Sequence, residues 1–263
     1  MRLEGRTVLL TGASGGLGQA IALRLHAAGA KLVLTGRRAD ALAELADRTD
    51  ARTLTVDLAE PAEVERLAGE CADAEVFVAN AGLPGSGHLL SFSVEELDRA
   101  LAVNLRAPMV LSRLLGARMV DRGAGHIVLV SSLSGKAATA GSSVYSATKF
   151  GLRGFGLALR EDLRPAGVGV SVLLPGFVGQ AGMFADSGAR LPGFVGLVSP
   201  HDVAEAVADA VERNRGEVEV APLALRAGST FASVAPGLAA ALGRRLGSTR
   251  IAEDMGAGQR DKR

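Results

Sequence analysis

The most informative stretch near the N-terminus is TVLLTGASGGLG, which extends from Thr7 to Gly18. Its first half is apolar on both faces, which is typical of a strand buried within a parallel sheet. Its second half is rich in glycine, and a segment with helical periodicity follows. A strand, a glycine turn and a helix in this order bring backbone N–H groups and the positive end of a helix close to a phosphate. The stretch therefore predicts a phosphate-binding turn at the start of an α/β fold.

The glycines are spaced as Gly-x-x-x-Gly-x-Gly, which departs from the commoner Gly-x-Gly-x-x-Gly pattern. A glycine-rich turn without a ligand is the alternative, since short glycine patterns recur by chance. Six further apolar runs alternate with amphipathic segments of helical length, and they are Lys31–Thr35, Thr53–Val56, Glu75–Ala79, His126–Ser131, Val168–Leu174 and Glu217–Val220. This alternation predicts a doubly wound parallel sheet of about seven strands, a Rossmann-type fold with helices on both faces.

Helix-capping signals support this alternation. Ser93 and Glu96 form a capping box that predicts a helix of about 25 residues. Ser199 precedes Pro200 in a second N-terminal signal, and Gly29 and Gly167 follow helical segments. We expect one nucleotide-binding and catalytic domain over residues 1–222, followed by an extension over residues 223–263.

Composition excludes several classes of protein. The 263 residues carry a formal net charge of +1, which gives no electrostatic basis for binding nucleic acid. The single cysteine, Cys71, cannot form an intrachain disulfide, and a buried spectator thiol in a reducing compartment is the favoured interpretation. The N-terminus lacks the apolar core of a signal peptide, so we expect a cytoplasmic protein. His88, His126 and His201 show no ligand spacing, and we expect no metal site.

The only tyrosine, Tyr145, lies four residues before Lys149 and thirteen residues after Ser132. On a helix the phenol and the ammonium would share one face. Bringing a phenol pKa to neutrality requires about 4 kcal/mol of stabilisation of the phenolate, and a neighbouring lysine charge would contribute to it. The pattern therefore predicts that Tyr145 is a proton donor and acceptor whose pKa Lys149 lowers.

The second apolar run ends in Gly36-Arg37-Arg38, where an NAD site would usually place a carboxylate for the ribose 2′-hydroxyl. A 2′-phosphate suits a guanidinium fork. We therefore expect NADP(H) to be preferred over NAD(H). The alternative is that both arginines are solvated surface charges.

Over roughly residues 5–220 the chain resembles the short-chain dehydrogenase/reductase family. The resemblance is carried, in this order, by the glycine turn, Asn80-Ala81-Gly82, Asn104, Ser132 and the Tyr145–Lys149 pair. The resemblance implies a catalytic set made of Asn104, Ser132, Tyr145 and Lys149. It implies a cofactor-binding set made of Gly12, Ser14, Gly15, Gly16, Leu17, Gly18, Arg37, Arg38, Asp57, Leu58, Asn80, Ala81, Gly82, Tyr145, Lys149, Pro175, Gly176 and Val178. It also implies a homo-oligomer, a dimer or tetramer, paired through the long helices that start near Ser93 and Ser143.

The resemblance also implies a role for each member of the catalytic set. Ser132 would hydrogen-bond the substrate oxygen, and Tyr145 would be the general acid and base. Lys149 would hold the nicotinamide ribose, while Asn104 would distort its helix and hold a relay water. The family's usual threonine two residues beyond Val178 is replaced by Gln180, which puts the orientation of the nicotinamide in doubt.

The expected activity is hydride transfer between NADP(H) and a carbonyl or secondary alcohol, with reduction favoured. A catalytically silent NADP(H)-binding sensor or scaffold is one alternative, and a dehydratase or isomerase is another. A lid over residues 179–198 contains six large apolar side chains and suggests an apolar substrate; these are Met183, Phe184, Leu191, Phe194, Val195 and Leu197.

From Pro222 to the C-terminus, seven lysines and arginines stand against three acidic residues. Apolar side chains recur there at helical spacing, at Phe231, Val234, Leu238, Leu242 and Leu246. An amphipathic helix interrupted by Pro236 is predicted. Packing on the domain or on a second subunit is one interpretation of it, and peripheral contact with an anionic membrane is the other.

Overall fold

The computed structural model describes residues 1–189, 196–245 and 254–259. It contains a seven-stranded parallel sheet in the order β3-β2-β1-β4-β5-β6-β7. The strands are β1 (Thr7–Thr11), β2 (Lys31–Gly36), β3 (Arg52–Thr55), β4 (Val76–Ala79), β5 (Gly125–Val130), β6 (Val168–Pro175) and β7 (Glu217–Val220). The predicted doubly wound fold is confirmed, and each predicted strand is present to within one residue at either end.

Helices cover both faces of the sheet. They are α1 (Gly16–Ala27), α2 (Ala39–Thr49), α3 (Pro61–Glu70), α4 (Val94–Leu101), α5 (Ala107–Arg122), α6 (Ser143–Leu163), α7 (Met183–Ser187), α8 (Pro200–Glu212), α9 (Leu223–Val234) and α10 (Pro236–Arg245). Short 3₁₀ turns occupy Leu89–Ser91, Leu133–Gly135 and Arg164–Ala166.

The central strands separate two apolar cores because successive side chains of a strand point to opposite faces. In β1, Val8 and Leu10 belong to the core beneath α1 and α8, whereas Leu9 belongs to the core beneath α3 and α5. This explains why the first apolar run shows no alternation between polar and apolar residues. Gly29 and Gly167 adopt positive φ angles of 78° and 75° after their helices, as predicted.

The long helix predicted to start at Ser93 is interrupted. Ser93 and Glu96 do form the capping box, but five π-helical residues, Ala102–Arg106, separate α4 from α5. The C-terminal helix, predicted to be interrupted by Pro236, is two helices, α9 and α10, because Pro236 lacks the N–H that would continue the first one. Leu191, Phe194 and Val195 of the predicted lid, and Leu246 of the extension, lie outside the described residues.

Candidate active site

The candidate site lies at the carboxyl ends of β1 and β4, where the strand order reverses. In open parallel sheets, ligands bind in the crevice at this reversal. Asn80 joins its two sides, since its side-chain amide donates to the carbonyl oxygens of Thr11 at 3.1 Å and Gly12 at 3.2 Å. The Thr11 hydroxyl in turn accepts from the backbone N–H groups of Asn80 and Ala81, both at 3.2 Å. These bonds fix the glycine turn against the loop after β4.

Gly12 and Gly18 of the glycine turn have no room for a side chain. A Cβ added to Gly12, which has φ +67°, would lie 2.7 Å from the Cα of Ala81. A Cβ added to Gly18 would lie 2.2 Å from the Gly12 carbonyl oxygen. Helix α1 starts at Gly16, directly after the turn, without a side-chain cap. Its free N–H groups and the exposed backbone of the turn form a cradle that fits a pyrophosphate.

Arg37 and Arg38 lie at the end of β2 and are exposed, beside the glycine turn. A guanidinium nitrogen of Arg38 donates to the carbonyl oxygen of Ser14, so this side chain is directed at the turn. Arg37 is close enough to Asp57 to affect its carboxylate. Burial alone would raise the Asp57 pKa, but the backbone N–H of Ala59 and the charges of Arg99 and Arg37 leave it below its ordinary value. Three positive side chains, those of Arg37, Arg38 and Arg99, and the Asp57 carboxylate therefore lie around this corner.

Asp57 forms an ion pair with Arg99 of α4 at 2.7 Å, a contact that no pattern in the sequence indicated. Other predicted cofactor residues contribute backbone to the crevice, while their side chains pack into the protein. The side chain of Leu58 is buried in one core, Val178 is buried in the other, and Leu17 packs against the latter. Gly15 forms the turn through its N–H to the Gly12 carbonyl at 3.2 Å. Pro175 ends β6, and Gly176 donates to the Val220 carbonyl at 2.9 Å.

Ser131 and Ser132 are adjacent but contact different groups. The buried Ser131 hydroxyl donates to the carbonyl oxygen of Lys149 at 2.9 Å, so it fixes α6 to the end of β5. The Ser132 hydroxyl is hydrogen-bonded to Tyr145 and accepts from the N–H of Ser134 at 3.1 Å. The structure thus brings Ser132, and not Ser131, next to the only phenol.

Tyr145 and Lys149 share one face of α6, with the Lys149 Nζ 5.5 Å from the centroid of the phenol ring. The prediction that Lys149 lowers the Tyr145 pKa is wrong in this structure. Burial raises the pKa of Tyr145 to about 12, although the bond to Ser132 acts in the opposite direction. Burial likewise lowers the pKa of Lys149 to about 8, and its Nζ donates to the Val130 carbonyl at 2.9 Å. Desolvation of both groups therefore outweighs the stabilisation of the phenolate that was expected from the nearby lysine charge.

Asn104 is 1% exposed and lies in the π-helical turn, where a distortion is expected from the resemblance. Both polar atoms of its side chain bond the backbone of Leu83: Oδ1 accepts from the N–H at 2.6 Å and Nδ2 donates to the carbonyl at 2.9 Å. A Cβ added to Gly82 would lie 3.5 Å from Asn104 Oδ1 and 3.9 Å from Lys149 Nζ. Asn104 therefore fixes the loop after β4 beside the lysine; the relay water stays a prediction.

The first part of the predicted lid lies directly on the crevice. The Ala181 Cβ would be 2.6 Å from a Cβ added to Gly16, and Met183 Cε would be 3.2 Å from one added to Gly82. The rings of Phe177 and Phe184 meet edge to face at a centroid distance of 5.1 Å, which connects α7 to the end of β6. Residues 181–183 of the lid therefore cover both the glycine turn and the surroundings of Lys149.

Gln180, which replaces the family's threonine, is exposed and has φ +66°. A β-branched threonine is disfavoured in this left-handed conformation. The tight turn at 179–181 is closed by the bond from the Ala181 N–H to the Gly179 carbonyl at 2.8 Å, and it holds Gln180 in this conformation.

The remaining reactive groups do not add to the site. Cys71 is buried, and burial raises its thiol pKa to about 11, as expected of a spectator. Within residues 1–189, 196–245 and 254–259, the His, Cys, Asp and Glu side chains form no group of three that could hold a metal ion. None of the described helices combines the length and apolar character that a bilayer span requires.

The fold and the grouped side chains define a dinucleotide-binding protein of the doubly wound class. A sequence profile described as "short chain dehydrogenase" matches residues 6–191. The chain therefore belongs to the short chain dehydrogenase family of oxidoreductases, which confirms the resemblance.

The chain is similar to the ketoacyl reductase HetN of Nostoc sp., with 37% identity over 227 residues, 83% of this chain and 79% of that protein. It is also similar to the solved short-chain dehydrogenase from Sphingobium yanoikuyae in complex with NADPH. That comparison gives 28% identity and a TM-score of 0.74, covering 81% of this chain and 87% of that one. A metagenomic short-chain oxidoreductase in complex with NADP shows 31% identity and a TM-score of 0.71, over 84% and 99% of the two chains.

Proposed function

We propose that the protein is an NADPH-dependent carbonyl reductase whose site consists of Ser132, Tyr145, Lys149 and Asn104. The observation that carries this proposal is the contact of the Tyr145 phenol with Ser132 while Lys149 lies on the same helix face. The family supports hydride-transfer chemistry, and a relative named as a ketoacyl reductase supports a carbonyl substrate.

A bound NADPH would supply the hydride to the carbonyl carbon. Ser132 and Tyr145 hydrogen-bond the carbonyl oxygen and polarise it. As negative charge develops on that oxygen, Tyr145 gives it the phenol proton, a step that contributes about 10²–10⁴ to the rate. Because burial raises the Tyr145 pKa to about 12, the phenol is protonated at neutral pH and ready to donate. This is the protonation state that the proton donor in a reduction requires.

Lys149 supplies charge and hydrogen-bond donors beside the phenol. With a pKa of about 8, it is mostly protonated at neutral pH. One of its three N–H bonds is used on the Val130 carbonyl, so two remain for the ribose hydroxyls of a nucleotide. Asn104 positions the loop that faces the lysine through its two bonds to Leu83.

Arg37 and Arg38 support NADP(H) over NAD(H). Both stand beside the glycine turn, where the adenosine ribose of a dinucleotide lies in this fold class. A 2′-phosphate would meet two guanidinium groups there, whereas the ribose hydroxyls of NAD would find Gly36 in place of the usual carboxylate at the end of β2. Two similar proteins were solved with NADPH or NADP bound, which agrees with this preference.

The substrate class we propose is a medium-sized, largely apolar ketone such as a 3-oxoacyl thioester. Met183 and Phe184 of the lid bring apolar surface to the site. The test is NADPH oxidation over a panel of aldehydes, ketones, steroids and 3-oxoacyl thioesters. Tyr145→Phe should lower kcat by at least a hundredfold while NADPH binding is retained. Wild-type protein that binds NADPH but reduces no carbonyl would favour the silent sensor instead.

We further propose a cytoplasmic homo-oligomer. Large apolar side chains are exposed along α4, α5 and α6, namely Leu101, Met109, Phe150 and Leu157, and a second copy would cover them. Light scattering of the purified chain tests this assignment. A dimer or tetramer is expected, and a monomer at micromolar concentration would contradict it.

The α9–α10 hairpin supports peripheral contact with an anionic membrane. Large apolar side chains are exposed on it at Leu223, Phe231, Val234, Leu238 and Leu242. Residues 223–245 contain three arginines and no acidic residue. Buried apolar area and attraction to anionic headgroups are the two contributions that bind such helices to an interface. Co-sedimentation with vesicles containing phosphatidylglycerol should be lost in Val234→Glu and should weaken with salt.

A further inference from the structure

The C-terminal turn, residues 254–259, lies against the walls of the candidate site. Its helical turn begins at Asp254, and Gly256 and Gln259 are buried. A Cβ added to Gly256 would lie 2.9 Å from the Cα of Gly87, in the loop after β4. A Cβ added to Gly258 would lie 2.0 Å from the Ser187 carbonyl oxygen at the end of α7. The two glycines thus let the turn contact both the loop and the lid.

Both contacted elements reach the reacting groups. In the loop after β4, Gly85 packs on Tyr145 so closely that an added Cβ would be 2.8 Å from the tyrosine N. In the lid, Met183 lies beside Gly82, the point at which Asn104 and Lys149 also meet. The C-terminal turn therefore connects two elements that each lie against the candidate catalytic residues.

Gln259 provides the polar contact of this connection. It is 1% exposed, and its Nε2 donates to the Met183 carbonyl at 2.8 Å. Its Oε1 is also buried, and among the described residues it has no hydrogen-bond partner. A buried amide oxygen without a donor is destabilising, so native proteins rarely keep one without a reason. The described residues therefore leave this oxygen available to accept a hydrogen bond from another group.

We propose that Gln259 is a substrate-positioning residue: its Nε2 holds α7 over the site, and its Oε1 accepts a hydrogen bond from an N–H or O–H of the substrate. This proposal rests on the proposed carbonyl reductase function. It narrows the substrate to a ketone that carries a hydrogen-bond donor away from the reacting carbonyl. An amide N–H in the thiol part of a 3-oxoacyl thioester has this chemistry.

The test compares two thioesters of 3-oxobutanoate, made with N-acetylcysteamine and with its N-methyl derivative. The second differs mainly in lacking the amide N–H. Wild type should prefer the first by about tenfold in kcat/KM, the effect of one hydrogen bond. Gln259→Leu should remove this preference, whereas Ala257→Ser, on the exposed face of the same turn, should retain it. An unchanged preference in Gln259→Leu would overturn the substrate contact.

Hydrogen exchange of the amides in α7 gives a second measurement that does not depend on turnover. Gln259→Leu should raise exchange over residues 183–187 relative to wild type and to Ala257→Ser. Gly258→Val, which keeps the glutamine but displaces the turn from Ser187, should do the same. Equal exchange in all four proteins would overturn the role of Gln259 in holding the lid. A wild type that reduces no carbonyl would refute the reductase function, and the exchange result would still decide whether Gln259 holds the lid.

Discussion

The Ser131 hydroxyl donates a hydrogen bond to the main-chain oxygen of Lys149, whereas the hydroxyl of the next residue, Ser132, contacts the Tyr145 phenol. The two serines are neighbours at the end of one strand, but their hydroxyls contact different groups and therefore have different roles. Ser131 positions α6, and Ser132 faces the proposed proton donor. The pair offers an internal control for the assignment of the site.

Ser132→Ala should lower kcat about a hundredfold or more, because a donor to the carbonyl oxygen is lost. Ser131→Ala should keep most of kcat, because its hydroxyl contacts only the backbone of α6. Ser131→Ala removes one hydrogen bond and should cost about 1 kcal/mol of unfolding free energy, whereas Ser132→Ala removes the bonds to Tyr145 and to the Ser134 N–H and should cost about 2 kcal/mol. Steady-state kinetics and urea denaturation of both variants check this. A larger loss of kcat in Ser131→Ala than in Ser132→Ala would contradict the assignment.

Burial of Lys149 makes stability depend on pH in a predictable direction. Its pKa is about 8 in the folded protein against an ordinary 10.5, so between these values the unfolded chain binds more protons. Stability contributed by this residue therefore rises with pH across that window, by about 3 kcal/mol in total. Lys149→Met should be more stable than wild type at neutral pH, and the difference should shrink as the pH approaches 10.

Urea denaturation of wild type and Lys149→Met between pH 7 and pH 10 measures this difference. Taking the difference removes the contributions of groups common to both proteins, such as Cys71. Tyr145 affects the comparison little in this window because its pKa is raised above its ordinary value of 10.0. Stabilities that stay parallel over the whole range would mean that Lys149 is not desolvated in the folded state.

The helices and strands that could be predicted from the sequence are those that interactions between residues close in the chain determine. The bounds of β1 and β7 agree with the predicted runs, and the capping box at Ser93 is present, because apolar patterning and capping act over a few residues. The π-helical turn around Asn104 was expected only from the family resemblance. No propensity distinguishes a π turn from the α-helix on either side of it.

The features that could not be predicted from the sequence depend on burial and on contacts between residues that are distant in the chain. The spacing of Tyr145 and Lys149 predicted a lowered phenol pKa. The spacing gives no information about burial, and burial raises that pKa instead. The ion pair of Asp57 with Arg99 and the contact of Gln259 with Met183 join residues that are far apart in the chain. Only the packed fold brings them together. The composition of the C-terminal extension left open whether it packs on the domain, packs on a second subunit or contacts a membrane.

The crowding at Gly18 predicts a steric effect on cofactor binding. In Gly18→Ala the new Cβ would lie 2.2 Å from the Gly12 carbonyl oxygen, so the backbone of the turn must move. We expect NADPH binding to weaken at least tenfold, with a loss of about 1–3 kcal/mol of stability.

Gly69→Ala in α3 is the control, since nothing lies within 4 Å of its added Cβ. It should leave NADPH binding unchanged and stabilise the helix by about 0.5–1 kcal/mol. Titration of intrinsic NADPH fluorescence and thermal denaturation measure both effects.

The two arginines after β2 predict the cofactor preference. The double variant Arg37→Ala plus Arg38→Ala should raise the Kd for NADPH by at least tenfold, because two charge-assisted contacts to the 2′-phosphate are lost. The Kd for NADH should change much less, although Arg38 also bonds the Ser14 carbonyl of the glycine turn.

Arg37→Ala alone separates these effects, since Arg37 influences the corner through its charge near Asp57. It should weaken NADPH and leave NADH unaffected. Losses of equal size for the two cofactors, measured by fluorescence titration, would show that these arginines do not recognise a 2′-phosphate.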